Sequence, residues 1–274
     1  CGDLTPSLAF WREEFHLNIH IKRYAKPYIS LIDGMVMGGG VGVSLHGSHR
    51  VAGDRYRFAM PEVGIGFVPD VGATYALPRL PGQMGAYLAL TGAAVGPDDA
   101  MALGLATHRV ASSDFAALET ALVAGEDVGA ALARFAKPAA ASALMGERGL
   151  IDRCFSAPSV QAILDRLDEA VRAGSDFAAR TADIIRSKAP SSLTIVLEQM
   201  RRGGAMTFEE AMAAEFRIVT RLAEAHDFYE GVRAAIVDKD GAPSWQPPRL
   251  ADLPPGFAAA HFAPRPGREL GDAP

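Results

Sequence analysis

Two carboxylates on one irregular apolar loop, and a run of three glycines upstream of it, are the groups whose types and spacing could do chemistry in this chain. Glu62 follows Pro61 and sits between Met60 and the apolar Val63, Ile65 and Phe67. Burial there makes a carboxylate costly unless it is hydrogen-bonded or used, and a desolvated carboxylate is a stronger base, able to take a proton from water or to attack a carbonyl. An exposed glutamate capping a turn is the plainer alternative. Asp70 lies on the same loop, in Pro69-Asp70-Val71-Gly72, a sequence that also suits a type I or II turn. Two acids so placed can couple their titrations, which pushes one pKa up and divides acid from base. Gly38-Gly39-Gly40 opens an apolar segment, although each glycine costs a helix about 1 kcal/mol against alanine. Bare backbone at a helix start offers N–H donors to a ligand oxygen; close helix-to-sheet packing would explain the same glycines. Glu14, beside Arg12 and Glu13, reads as part of a solvated helix face.

Other chemistries lack their motifs. His46, His49, His108, His226 and the remaining histidines show no HxH or HExxH spacing, so no metal site is expected. Val43-Ser44-Leu45 lacks the flanking glycines of a nucleophile elbow. The glycine run does not continue to Gly-Lys-Ser/Thr, and Leu45 stands where a dinucleotide fingerprint needs its third glycine.

The elements that must position these groups alternate. Residues Thr5 to Ala25 read as a helix, and Lys26 to Val43 as a strand feeding a helix. Arg50 to Asp54 and Tyr56 to Met60 read as short strands, and Val63 to Ala73 as the irregular loop. Helices are expected at Thr74 to Leu80, Gly82 to Thr91 and Pro97 to Leu103, with a short strand at Ala106 to Val110. This order suggests an α/β layout with crossover connections. Beyond Ser112 only helical periodicity remains, at 115–123, 128–135, 160–173, 175–187, 193–201 and 208–225. Lys137 to Gly149 reads as a linker, and the Pro- and Gly-rich end as an extended tail. Three regions are therefore expected: a core at 1–111, a helical region at 112–248 and a tail at 249–274.

With 274 residues and 49% hydrophobic content, the chain can bury a large core. A net charge of −5 without a Lys/Arg block argues against nucleic acid. Cys1 and Cys154 are the two cysteines, which make a reducing, cytoplasmic setting the expectation. No apolar run approaches the ~18 residues of a membrane span, and no signal peptide is evident. The start at Cys1-Gly2-Asp3, without a methionine, reads as the middle of something, and an upstream segment is expected.

Lys26-Pro27, Gly34-x-x-Met37-Gly38-Gly39-Gly40-Val41-Gly42, Met60-Pro61-Glu62-Val63-Gly64-Ile65-Gly66 and Pro69-Asp70-Val71-Gly72 together resemble the crotonase (enoyl-CoA hydratase/isomerase) superfamily. Phe10-Trp11-Arg12-Glu13-Glu14-Phe15, Cys154-Phe155-Ser156, Ala189-Pro190-Ser191-Ser192-Leu193 and His226 to Ala234 extend the likeness, and the last is specific to its 3-hydroxyisobutyryl-CoA hydrolase branch. The resemblance implies an α/β spiral of ββα units with a C-terminal helical region, an acyl-CoA substrate without a separate cofactor, and trimers or hexamers among relatives. It implies hydrolysis of a short 3-hydroxyacyl-CoA thioester, that of 3-hydroxyisobutyrate in valine breakdown. Hydratases of the superfamily carry a second glutamate where this chain has Gly42 and commonly glycine where it has Asp70; one carboxylate is lost and another gained. The resemblance further implies that the Gly39 N–H donates to the thioester oxygen, that Glu62 is base or nucleophile, that Gly38 and Glu14 help bind the substrate, and that Asp70 fixes it at the 3-hydroxyl or assists proton transfer. A second donor is expected upstream of or near Cys1-Gly2-Asp3. Two rival functions share the fold: an enoyl-CoA hydratase or isomerase using Glu62 alone or with Asp70, and an acyl-CoA binder without catalysis.

Overall fold

The computed structural model describes residues 3–271. Helix α1 (Thr5–Arg23) begins with proline in its first turn and ends with His20, Lys22 and Arg23, basic groups that suit the negative end of the helix dipole. It is followed by β1 (Ile29–Ile32), β2 (Met35–Val36) and the one-turn helix α2 (Gly39–Gly42), then β3 (His49–Ala52), β4 (Arg57–Phe58) and a 3-10 turn at Glu62–Ile65. Helices α3 (Ala73–Ala76), α4 (Met84–Thr91) and α5 (Pro97–Leu103) lead to β5 (His108–Arg109). Strands β1, β3 and β5 stack in parallel as one sheet, with Ile29 opposite His49 and Val51 opposite His108. Strands β2 and β4 stack in parallel as a second, with Met35 opposite Arg57. Each ββα turn therefore lays its two strands on those of the turn before it, which is the spiral. The paired strands are joined by crossover connections rather than hairpins, as parallel pairing requires.

The remaining helices are α6 (Phe115–Val123), α7 (Val128–Phe135), α8 (Ala143–Gly146), α9 (Arg148–Phe155), α10 (Val160–Arg172), α11 (Asp176–Arg186), α12 (Pro190–Gly203), α13 (Phe208–Leu222), α14 (His226–Val232) and α15 (Phe257–Phe262). Helix α13 starts with a full capping box, Thr207 and Glu210 each bonding the other's backbone N–H. The main apolar core runs unbroken from Phe15, Val36 and Met60 through Leu88 to Ile151, Ile195 and Phe216. The division expected near residue 111 marks the end of the strands, but the core crosses it. Helices α6 and α7 cover the first sheet with a second, smaller core around Val51, Val110, Leu118 and Leu132.

Two segments differ from the sequence reading. The stretch read as a linker at Lys137 to Gly149 contains α8 and leads directly into α9, whose Ile151, Cys154 and Phe155 are buried at helical spacing. The stripe lies past the stretch read as a linker and spans barely two turns, too short for its period to stand out. The 249–274 stretch, expected to be extended, holds a 3-10 turn at Leu250–Asp252 and α15, and buries Phe262 and Leu270. Arg12 donates to the Glu269 and Leu270 carbonyls, while Arg217 pairs with Glu269, which ties this segment to α1 and α13. Among the described residues no helix is long and apolar enough to cross a membrane.

Candidate active site

The glycine run is shaped by what lies against it. Gly38 adopts φ 52° and ψ −131°, a conformation open only to glycine, and so turns β2 into α2. The Gly40 and Val41 N–H groups donate to the Met37 and Gly38 carbonyls. The Gly39 N–H, one residue earlier at the helix start, has no acceptor among the described residues. A Cβ on Gly39 would lie 2.8 Å from Glu14 Oε1, so the Glu14 side chain crosses this backbone closely. A Cβ on Gly42 would lie 2.7 Å from Asn18 Nδ2 and 2.9 Å from the Val71 Cβ. Glu14 and Asn18, four residues apart, present one face of α1 to the two ends of α2. The Gly39 N–H is thus left as a donor, while the tight packing falls at Gly42, outside the three-glycine run and against α1 and Val71 rather than a sheet.

Glu62 and Asp70 are buried, 8% and 6% exposed. Glu62 starts the 3-10 turn at the end of the β4 segment, and its Oε2 has no hydrogen-bond partner among the described residues. Burial pushes its carboxyl up to about 8. Asp70 is raised well above the usual carboxylate range, first by burial and then by the charges of Glu62, Glu215 and Glu14. Glu14 itself is half-buried and shifted upward by desolvation. Glu14 thus lies against Gly39, and Glu14 and Glu62 are each within electrostatic reach of Asp70. The turn-capping and solvated-face alternatives for Glu62 and Glu14 do not describe this packing. No Lys or Arg pairs with any of the three among the described residues.

The loop carrying Asp70 is strained and clamped. Val71 has φ +49°, which costs a β-branched residue about 1–3 kcal/mol, and Gly72 follows at φ +91°. Glu215, fully buried on α13, accepts the Gly72 N–H on one oxygen and the Thr74 N–H on the other, each at 2.7 Å. Gln199 on α12 donates to the Pro69 carbonyl at 3.0 Å and to Thr74 Oγ1 at 2.9 Å. His46 Nε2 lies 2.6 Å from the Val71 carbonyl. Burial lowers His46 to about 4, so the ring is neutral and this nitrogen carries its proton to donate. Sequence reasoning weighed His46 only as a metal ligand and missed Glu215, Gln199 and Asn18. A signal existed for Glu215: it falls on the stripe Phe208, Ala211, Met212, Ile218, Val219, Leu222 that α13 buries.

Helix α14 holds the turn bearing Glu62. A Cβ on Gly66, at φ +67°, would lie 2.1 Å from the Asp227 carbonyl oxygen, and one on Gly231 would lie 2.3 Å from the Ile65 carbonyl carbon. The two backbones touch, which only glycine allows. Asp227 is fixed by the Ser191 hydroxyl at 2.5 Å and the Gln246 N–H at 2.7 Å. The expected second donor near the start of the chain falls partly on Cys1 and Gly2, which lie outside the described residues; Asp3 accepts the Thr5 N–H at 2.9 Å.

A family profile described as enoyl-CoA hydratase/isomerase matches residues 3–262. The 3-hydroxyisobutyryl-CoA hydrolase, mitochondrial, of Danio rerio is 41% identical over 96% of this chain and 71% of its own length. The human protein of that name is 40% identical over 92% of this chain and 67% of its own length. Among solved structures, a carnitinyl-CoA dehydratase from Mycobacterium thermoresistibile superposes with a TM-score of 0.92 at 40% identity, covering 98% of this chain and 77% of that one. An enoyl-CoA hydratase from Rhodobacter sphaeroides superposes with a TM-score of 0.90 at 36% identity, covering 99% and 78%. The continuous match, the parallel ββα spiral and the glycine-run and Pro-Glu segments agree, and the chain belongs to the enoyl-CoA hydratase/isomerase family with the crotonase fold.

Proposed function

We propose that the chain hydrolyses 3-hydroxyisobutyryl-CoA, a short 3-hydroxyacyl-CoA thioester, to 3-hydroxyisobutyrate and CoA. The observation that carries this is the pair of buried acids Glu62 and Asp70, the charge of the first raising the second, with Glu14 lying against the free Gly39 N–H and with Asn18 and Val71 filling the space beside Gly42. The Gly39 N–H receives the charge that develops on the thioester oxygen, the kind of preorganised donor worth about 3–4 kcal/mol to a transition state. Gly38 gives that N–H its direction. Glu62 supplies the attack on the thioester carbon, either by taking a proton from water or by adding directly, and its partnerless Oε2 is the free lone-pair site for it. The C–S bond breaks and the CoA thiolate takes up the proton that Glu62 removed from water; where Glu62 adds directly, water then hydrolyses the Glu62 acyl anhydride and supplies that proton. Asp70 and Glu14 hold the substrate, Asp70 at the 3-hydroxyl. CoA arrives as part of the substrate, and no separate cofactor enters. Valine breakdown is the setting in which this substrate arises.

A hydratase reading draws support from the names of the two solved relatives. Against it, a second carboxylate at position 42 has no room beside Asn18 and Val71. Thiol release from 3-hydroxyisobutyryl-CoA, compared with crotonyl-CoA turnover, tests the two. Thiol release is expected to dominate and to fall about 10²–10⁴-fold in Glu62→Gln; parental thiol release in that variant would sink the hydrolase reading. A homo-oligomer is proposed on the resemblance alone. A cytoplasmic setting rests on the two-cysteine composition, whereas the vertebrate relatives are named as mitochondrial proteins.

A further inference from the structure

Glu215 belongs to none of the roles above, yet it is fully buried, has no ion-pair partner among the described residues and lies within electrostatic reach of Asp70. It sits on α13, far along the chain, and reaches across to the first residues of α3. Both of its oxygens are engaged by backbone N–H groups at 2.7 Å, the short distance of charge-assisted bonds. Between the residue it grips, Gly72, and Asp70 stands Val71 in the left-handed region. A β-branched side chain stays there only if its surroundings over-determine the backbone. Three buried polar side chains from separate segments do so here: His46 on the Val71 carbonyl, Gln199 on the Pro69 carbonyl, and Glu215 on the Gly72 N–H.

We propose that Glu215 is a positioning residue for Asp70: its carboxyl grips the Gly72 and Thr74 N–H groups, holds the left-handed turn at Val71 and Gly72 that aims the Asp70 side chain, and sets its charge against that of Asp70. The proposal rests on the hydrolase reading for its catalytic consequence, though not for its electrostatics. The groups that face the cluster are few. Asp70 meets Glu62 from the 3-10 turn, Glu14 from α1 and Glu215 from α13. Glu215 meets the Gly72 and Thr74 N–H groups at the start of α3, and Gln199 of α12 shares the Thr74 hydroxyl. His46 is neutral and lies near Lys22 and Arg50. Lys188, half-buried before α12, stands with its ammonium 3.5 Å from the Cβ position of Gly64 and has no ion-pair partner among the described residues. No cation therefore neutralises the four carboxyls directly, and each negative charge raises the cost of the next.

Two variants separate geometry from charge. Glu215→Gln removes the charge and, with one acceptor oxygen, keeps only one of the two N–H bonds, whereas Glu215→Asp keeps the charge and both acceptors and shortens the reach by one methylene. The first readout is the carbon-13 carboxyl titration of Asp70 in the free protein, assigned by comparison with Asp70→Asn. The second is kcat and KM for 3-hydroxyisobutyryl-CoA across pH, with thermal unfolding of each variant as the check on folding. In Glu215→Gln the Asp70 midpoint is expected to move to lower pH by roughly half a unit or more, and any limb of the rate profile that Asp70 sets moves with it. In Glu215→Asp the limb is expected to stay while kcat falls about tenfold with little change in KM. Parental midpoint and limb in folded Glu215→Gln, or parental kcat in Glu215→Asp, would overturn the proposal. The parent protein supplies a measurement that needs no variant: the Asp70 resonance should show a second inflection as Glu215 ionises, and a single inflection counts against the coupling. A parent that releases no thiol would defeat the hydrolase reading while the titration still decides the role of Glu215.

Discussion

At the scale of single residues, the site is defined by carboxyls that cost free energy to ionise. Glu62 is raised from 4.5 to about 8 by burial, so the basic form grows as pH rises through that value. The acid limb of kcat/KM in the free enzyme is expected well above the ordinary carboxylate range, toward 8, and a limb near 4.5 would contradict the buried geometry. The same shift has a stability consequence. A carboxyl whose folded pKa lies above its unfolded one binds more protons when folded between the two values, so its contribution to stability is highest below 4.5 and declines as pH rises toward 8. Glu62→Gln should therefore raise the unfolding free energy at pH 8, by roughly 4 kcal/mol, and change it little at pH 4. Denaturant unfolding at the two pH values reads this directly. Loss of stability at pH 8 would mean that the carboxylate is held by a bond not seen here.

At the scale of elements, spacing between backbones decides which side chains the site can hold. Helix α1 approaches α2 closely enough that Glu14 crosses Gly39 and Asn18 fills the space beside Gly42. Gly42→Glu, which would restore the second acid of a hydratase, must displace Asn18 or Val71. It is expected to cost about 1–3 kcal/mol of stability and to bring no crotonyl-CoA hydration. Calorimetry together with an enoyl-CoA assay checks both halves, and gain of hydration would show that α1 can yield. Glu62 is held by a comparable approach, that of α14 to the 3-10 turn at Gly66 and Gly231. Its position is therefore set by a helix more than 160 residues later, counted from the ranges of the two elements.

At the scale of the whole molecule, the segment after residue 249 closes the back of the site's framework. Helix α15 packs on α12 and α13, the helices that carry Gln199 and Glu215, and Phe262 and Leu270 enter the main core. Glu269 is bound by Arg217 and by the Arg265 N–H, and Glu224 by Arg265 and Arg268. Truncation before residue 249 is expected to lower Tm by several degrees, since each large apolar side chain removed from burial forfeits about 1.5–3 kcal/mol. Scanning calorimetry of the shortened chain would show this, and an unchanged Tm would reduce the segment to a surface covering.

The sequence by itself determined the local chemistry. Gly38 to Gly40, Glu62 and Asp70 could be named because glycine in an apolar helix start and acids in an apolar loop conflict with local propensity, and such conflicts are visible one residue at a time. Helices α1, α5, α6 and α7 were legible for the same reason, their periodicity being local. The spiral was not: two parallel strands separated by some twenty residues leave the same pattern as a doubly wound sheet, and only the likeness to known sequences chose between them. Gly42 could be read as a missing acid, but its filling by Asn18 and Val71 required three distant segments in space. Glu215, Gln199 and His46 were invisible as a group because a clamp is a relation between elements, 143 residues apart in the case of the Gly72 bond. What the tertiary structure decided was burial, and burial is what turned four ordinary carboxyls into a coupled set.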